Sequence, residues 1–202
     1  MTHLLHALSG FKSPTDRESE TAFFMAHVPW VAPEAYFHIV FKPAPSAALA
    51  DLSLSLRLPK SIVDFLATQN GAILFSDALS IFGVHAPGQL LNRRNPLKCL
   101  PFNIEGENRS WPPFDPDRFL GIGGYSFDGS GVCIDRNDSK IYFFKREQRT
   151  LSETSSYSWS SLENWLDSEI ARLSFLFDKN GRILVKKSET VPPAHETTVK
   201  PS

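Results

Sequence analysis

The chain has 202 residues, 42% of them hydrophobic and 21% charged, with a formal net charge of -1. A chain of that length buries roughly 70% of its unfolded surface as one domain, and that composition is globular rather than disordered. The near-neutral charge removes the electrostatic case for nucleic acid. Two cysteines, Cys99 and Cys133, do not make a disulfide framework, and no window nears the ~18 apolar residues of a membrane span.

The N-terminus carries no basic region followed by an apolar run, so no secretory signal is expected; a soluble cytoplasmic protein with reduced thiols is. Ser13-Pro14 with Asp16, Glu18 and Glu20 predicts a helix running toward Phe24 and closed by Pro29, because acidic residues favour a helix N-terminus. The aromatic and β-branched run from Glu34 to Lys42 predicts a strand ended by Pro43 and Pro45. Ser46 is expected to cap a helix with Leu49, Leu52 and Leu56 on one face.

From Leu58 to Val84 the chain reads as helix, sharp turn and two short apolar strands. Pro59 suits the first helical position, with Leu58 as its cap, and Ile62, Phe65 and Leu66 face inward. Gln69 and Asn70 end the helix. Gly71 supplies the left-handed backbone that usually follows, and Ala72 to Phe75 and Leu79 to Val84 are the strands.

Between His85 and Arg118 six prolines break any long helix or central strand, so the segment reads as a long connection pinned to the core by Phe102, Trp111 and Phe114. Order resumes at Phe119. Gly131 to Asp135 and Lys140 to Lys145 then form a hairpin about a polar turn. Ser160 with Glu163 forms a capping-box signature for a last helix with Trp165, Ile170, Leu173 and Phe177 on its apolar face. Either Asn180-Gly181 stops that helix, or Asp178 to Gly181 turns a hairpin between Phe175–Phe177 and Ile183–Val185. Residues 1–42 read as an N-terminal extension packed on the domain, 43–185 as the domain, and 186–202 as a flexible tail.

Candidate chemistry is sparse. Gly121, Gly123 and Gly124 lack the third glycine of a dinucleotide fingerprint and read as a strand end or bulge. Ser126 lacks the last glycine of a nucleophile elbow. Asp128, Asp135 and Asp138 fall at turns and miss the spacing of a calcium loop, and the six histidines form no ligand pattern, so neither a metal nor a cofactor is implied. No set of nucleophile, base and oxyanion donors is visible, and an enzyme is not expected. Arg93 and Arg94, which suit an acidic partner, Asp128, and Trp111, an aromatic in a loop, are the candidate partner-binding residues.

Three pieces of the chain, in order, resemble the SUKH superfamily of Smi/Knr-like domains. The first is Leu58-Pro59 with Phe65, Asn70-Gly71 and Leu79 to Gly83. The second is Phe119 to Gly123, Asp128-Gly129 and the hairpin at Val132 to Phe143. The third is the helix start from Ser161 to Leu166, with Trp165. The match runs over residues 43–173; the extension, the tail and a fuller insertion at Gly124 to Phe127 depart from the pattern. The resemblance implies an α+β fold with a mixed or mostly antiparallel sheet flanked by helices. It also implies a non-enzymatic protein-binding domain: an immunity protein that covers the active site of a cognate nuclease- or deaminase-type bacterial toxin or, alternatively, a regulatory adaptor or scaffold. The expected partner is therefore a protein, met by a monomer.

Overall fold

Bulky aromatic and β-branched residues fit a pleated surface, and in this chain they build one sheet. The computed structural model describes residues 3–86, 88, 99–110, 115–145, 157–178 and 180–192. Its strands are β1 (Arg17–Glu18), β2 (Ala22–His27), β3 (Tyr36–Phe41), β4 (Ala72–Leu74), β5 (Leu79–Ile81), β6 (Phe119–Tyr125), β7 (Gly131–Asp135), β8 (Ile141–Phe144) and β9 (Ser158–Trp159). They lie side by side in chain order, and each adjacent pair is antiparallel. With helices α1 (His3–Ala7), α2 (Ser46–Ser55), α3 (Lys60–Thr68), α4 (Ile104–Ser110) and α5 (Leu162–Ser174), the fold is α+β.

Alternation along the strands separates two faces. Leu120, Val132, Ile134 and Phe143 join one large core with residues of α1, α2, α3 and α5, and Trp165 is fully buried there. Their neighbours Phe119, Cys133 and Phe144 form a small cluster of their own, as do Phe24, Tyr36 and Phe41. The core spans both proposed segments: Leu4 and Phe37 from residues 1–42 pack with Leu66 and Leu173.

Several expectations are corrected. The helix from Ser13 to Phe24 is absent; β1 and β2 stand there, with Phe24 registered against Ile39 of β3. Asp16 serves a loop instead, accepting from Ser13 N at 3.1 Å and Ala26 N at 2.8 Å. Sheet pairing here overrides local helix signals. Helices α2 and α3 are capped by Pro45 and Pro59, one residue before Ser46 and one after Leu58 respectively, since the Pro45 and Pro59 carbonyls accept the first helical bonds. At α5 the cap is Ser161, whose hydroxyl accepts from Asn164 N at 3.2 Å, and Ser160 bonds the Asn164 side chain.

Helix α5 ends at Ser174, and Phe177 bridges Ile183 antiparallel, so the hairpin reading holds over the longer helix. The segment after Lys186 is not all loose: Lys187–Thr190 is a 3-10 turn, and Thr190 and Val191 are buried. Arg172 holds it, donating to the carbonyls of Glu189 at 2.9 Å and Thr190 at 2.7 Å. The same guanidinium pairs with buried Glu169, which also accepts from Tyr125 Oη at 2.8 Å. Burial and the Glu169 charge push the Tyr125 phenol well above its usual range.

The proline-rich stretch contains α4. Asn103 caps it, its Oδ1 accepting from Glu105 N at 3.0 Å, and Asn108 then fastens it to β6. Phe102 does not pin this segment to the core but is 44% exposed, and Phe114 lies outside the described residues.

Candidate functional site

A cleft of about 390 Å³ opens over β5 and β6 beside α4. Its floor is made of small residues, Ser80, Gly124 and Ser130, and one wall is aromatic, with the Phe82 and Phe102 rings 6.4 Å apart. Helix α4 supplies Glu107 and Ser110, and the turn after β6 supplies Ser126 and Gly129.

Each part has a local cause. Gly83 brings the Phe102 segment alongside β5: Gly83 N donates to the Phe102 carbonyl and the Gly83 carbonyl accepts from Ile104 N, both at 2.8 Å. A side chain at Gly83 would collide with the Asn70 carbonyl. Asn108 grips Gly121, accepting from its N–H and donating to its carbonyl at 2.8 Å each, and a Cβ at Gly121 would stand 3.2 Å from that carboxamide. Pairing of β6 with β7 shifts register between Gly121 and Gly123, which is the bulge expected of these glycines.

The charges around the cleft are acidic. Glu105 is paired with Arg109 at 2.8 Å, whereas Glu107, a half-buried residue, has no side-chain hydrogen bond or ion pair among the described residues. Asp128 accepts from Ser130 N at 2.8 Å and from its hydroxyl, and Ser126 donates to Asp77 at 3.3 Å. Asp77 closes a strained turn: Phe75, Ser76 and Asp77 all have left-handed φ, of 55°, 52° and 73°. Such residues cost ~1–2 kcal/mol each. Ser76 N donates to the Phe37 carbonyl at 2.9 Å, and Phe75 N to Nδ1 of His38 at 3.3 Å. His38 is buried against Phe11, Phe37 and Phe75, and burial lowers its pKa to about 3.

A second, more apolar groove lies on the far side of the same turn, lined by Phe75, Phe177, Ile183 and the exposed Trp30 and Val31. The Arg182 guanidinium sits 5.5 Å over the Trp30 ring.

The residues singled out in the sequence fall mostly on the framework. Leu58 is buried, Pro59 caps α3 and Phe65 packs on the main core. Asn70 bonds both backbone groups of Val84, and Gly71 has φ 83°. Gly123 lies under Trp165, where a Cβ would stand 3.1 Å from the indole ring and 2.6 Å from the Ser80 carbonyl. Asp128 and Gly129, with φ 72°, form the turn at the cleft rim. Asp135 and Asp138 likewise serve turns, accepting from Asn137 N and Lys140 N, and Asp135 also pairs with Arg118 at 2.7 Å. Arg93, Arg94 and Trp111 lie outside the described residues.

Of the site residues, Asp128 alone was a candidate partner-binding position in the sequence. Phe102 read as core, and Glu107 drew no notice because the prolines hid α4. The usable signal was Asn103 followed by Glu105 and Glu107, a cap and an acidic first turn.

Among the described residues no group of three or more His, Cys, Asp or Glu side chains is placed to hold a metal, and no helix is long and apolar enough to cross a membrane. Comparison with family models and with curated proteins finds no match to this chain.

Proposed function

We propose that this protein is a non-enzymatic protein-binding domain of the Smi/Knr-like kind, an immunity protein that covers the active site of a cognate nuclease- or deaminase-type toxin. The observation that carries the reading is the open cleft over β5 and β6, where an exposed aromatic ring, Phe102, and the Glu107 carboxylate of α4, which has no partner among the described residues, stand beside the sheet. Aromatic anchors beside charge are what protein interfaces use. Three side chains of chemically capable type are engaged within the fold instead: Ser126 with Asp77, Asp128 with Ser130, and His38 within an aromatic cage. A preformed surface of about 800 Å² per partner would suffice to block an active site. Local acidic groups suit a basic, nucleic-acid-binding enzyme.

A regulatory adaptor is the second reading, favoured by the separate groove at Trp30, which offers apolar area of its own.

The test is a pull-down of tagged protein from its native cells under stringent salt, followed by mass spectrometry. One equimolar partner that kills cells when expressed alone, and is silenced by co-expression, is the expected result. Several substoichiometric partners would overturn immunity in favour of the adaptor.

A further inference from the structure

We infer that the cleft over β5 and β6 is a guanidinium site, filled by an arginine side chain of the bound protein and held between the Glu107 carboxylate and the Phe102 ring. The inference rests on the reading above only for the source of the arginine.

Four observations converge. Glu107 is half-buried and has no partner among the described residues, although Glu105 on the same helix finds Arg109; such a carboxylate, lining a cleft, is open to a charge-assisted bond with a cation brought in from outside. No Lys, Arg or His is among the described residues lining the cleft. Two further carboxylates, Asp77 and Asp128, are bonded to the lining serines Ser126 and Ser130, so the charged side chains that line the cleft or bond its lining serines are, among the described residues, all acidic. Phe102 presents its ring, 44% exposed, at the wall, where a cation can lie on the negative face of the π system.

The shape selects arginine over lysine. A guanidinium is planar, offers five donors and no acceptor, and stacks on aromatic rings, whereas an ammonium is a strongly hydrated point charge. The serine hydroxyls along the floor and rim can act as acceptors for those donors, and Gly124 leaves the sheet open beneath: a Cβ there would approach the Phe82 ring within 3.9 Å and narrow the space.

The test uses the full-length protein, labelled with ¹⁵N, and two small probes: N-acetyl-arginine amide and its neutral near-isostere N-acetyl-citrulline amide. The arginine probe should shift the amide signals of Gly124, Ser126, Gly129 and Ser130. Its affinity should fall at least about fivefold in Glu107→Gln, the citrulline probe should bind wild type at least about fivefold more weakly, and Phe102→Ala should also weaken binding. Both side chains are solvent-accessible, and an otherwise unchanged spectrum verifies that each variant is folded. Equal binding of the two probes, undiminished binding by both variants, or no shift at the cleft overturns the inference. Capture of a toxin equally by wild type and Glu107→Gln would overturn the arginine contact and leave immunity standing. Probe binding that depends on Glu107, with no toxin captured, would overturn immunity and leave the guanidinium site.

Discussion

Asn70 holds Val84 by both of its backbone groups: the carboxamide Oδ1 accepts from Val84 N at 2.6 Å while Nδ2 donates to the Val84 carbonyl at 2.8 Å. One side chain thereby stands in for a strand neighbour just where β5 has ended. Asn108 does the same for Gly121 across the sheet, so two carboxamides fix the two segments that flank the cleft. Asn70→Ala leaves a buried N–H and C=O unpaired and should lower stability by roughly 2–4 kcal/mol. Asn108→Ala, at a half-buried site, should cost about 1 kcal/mol. Urea unfolding of both variants checks the order; equal losses would contradict it.

Gly71 combines a left-handed φ of 83° with a neighbour that forbids a side chain, since a Cβ would lie 2.5 Å from the Ile81 carbonyl oxygen. Gly71→Val should therefore cost at least ~2 kcal/mol, a fall in melting temperature of roughly 5 °C or more for a chain of this size. A melt superimposable on wild type would contradict the assignment.

His38 makes stability depend on acid. Burial among aromatic rings lowers its folded pKa to about 3 from an ordinary 6.5, so the unfolded chain takes up a proton first as pH falls. Its neutral form predominates in both states above pH 6.5, and stability is lost progressively as pH drops from there toward 3, with a slope approaching ~1.4 kcal/mol per pH unit. His38→Phe removes that proton uptake. The difference between wild type and variant, measured by urea unfolding at pH 7, 6 and 5, should shift steadily against wild type; a constant difference would refute the role.

Arg172 neutralises the buried carboxylate of Glu169 and carries the carbonyls of Glu189 and Thr190. Arg172→Met should destabilise by about 3 kcal/mol and speed tryptic cleavage at Lys186 and Lys187, because it leaves an uncompensated charge and frees the 3-10 turn. Adding Glu169→Gln should recover part of the loss. If the double variant is no more stable than the single one, the charge is not the cause.

Much of the framework was legible because its signals are local. Gly71 marked its own backbone conformation, the runs at β3, β7 and β8 marked their strands, and the apolar stripe of α5 marked its helix. The first hairpin was not: Asp16, Glu18 and Glu20 imitate a helix start, and the pairing of β2 with β3 that overrules them is a tertiary fact. Helix α4 was hidden by its proline neighbours. The cleft was illegible for a different reason. Ser80, Phe102, Glu107, Gly124 and Ser130 come from separate segments, unremarkable singly, and the sheet alone brings them together.

The described ladder starts and finishes in strands of two residues, Arg17–Glu18 and Ser158–Trp159. An outermost strand with a long row of unsatisfied N–H and C=O groups invites another chain to add to it, which is the usual route to strand exchange and fibrous aggregation. Two residues offer too short a template, and at one border they carry charges matched to Glu34 at 3.6 Å and Lys42 at 2.6 Å. Neither described border strand therefore offers the long unpaired template that strand addition requires.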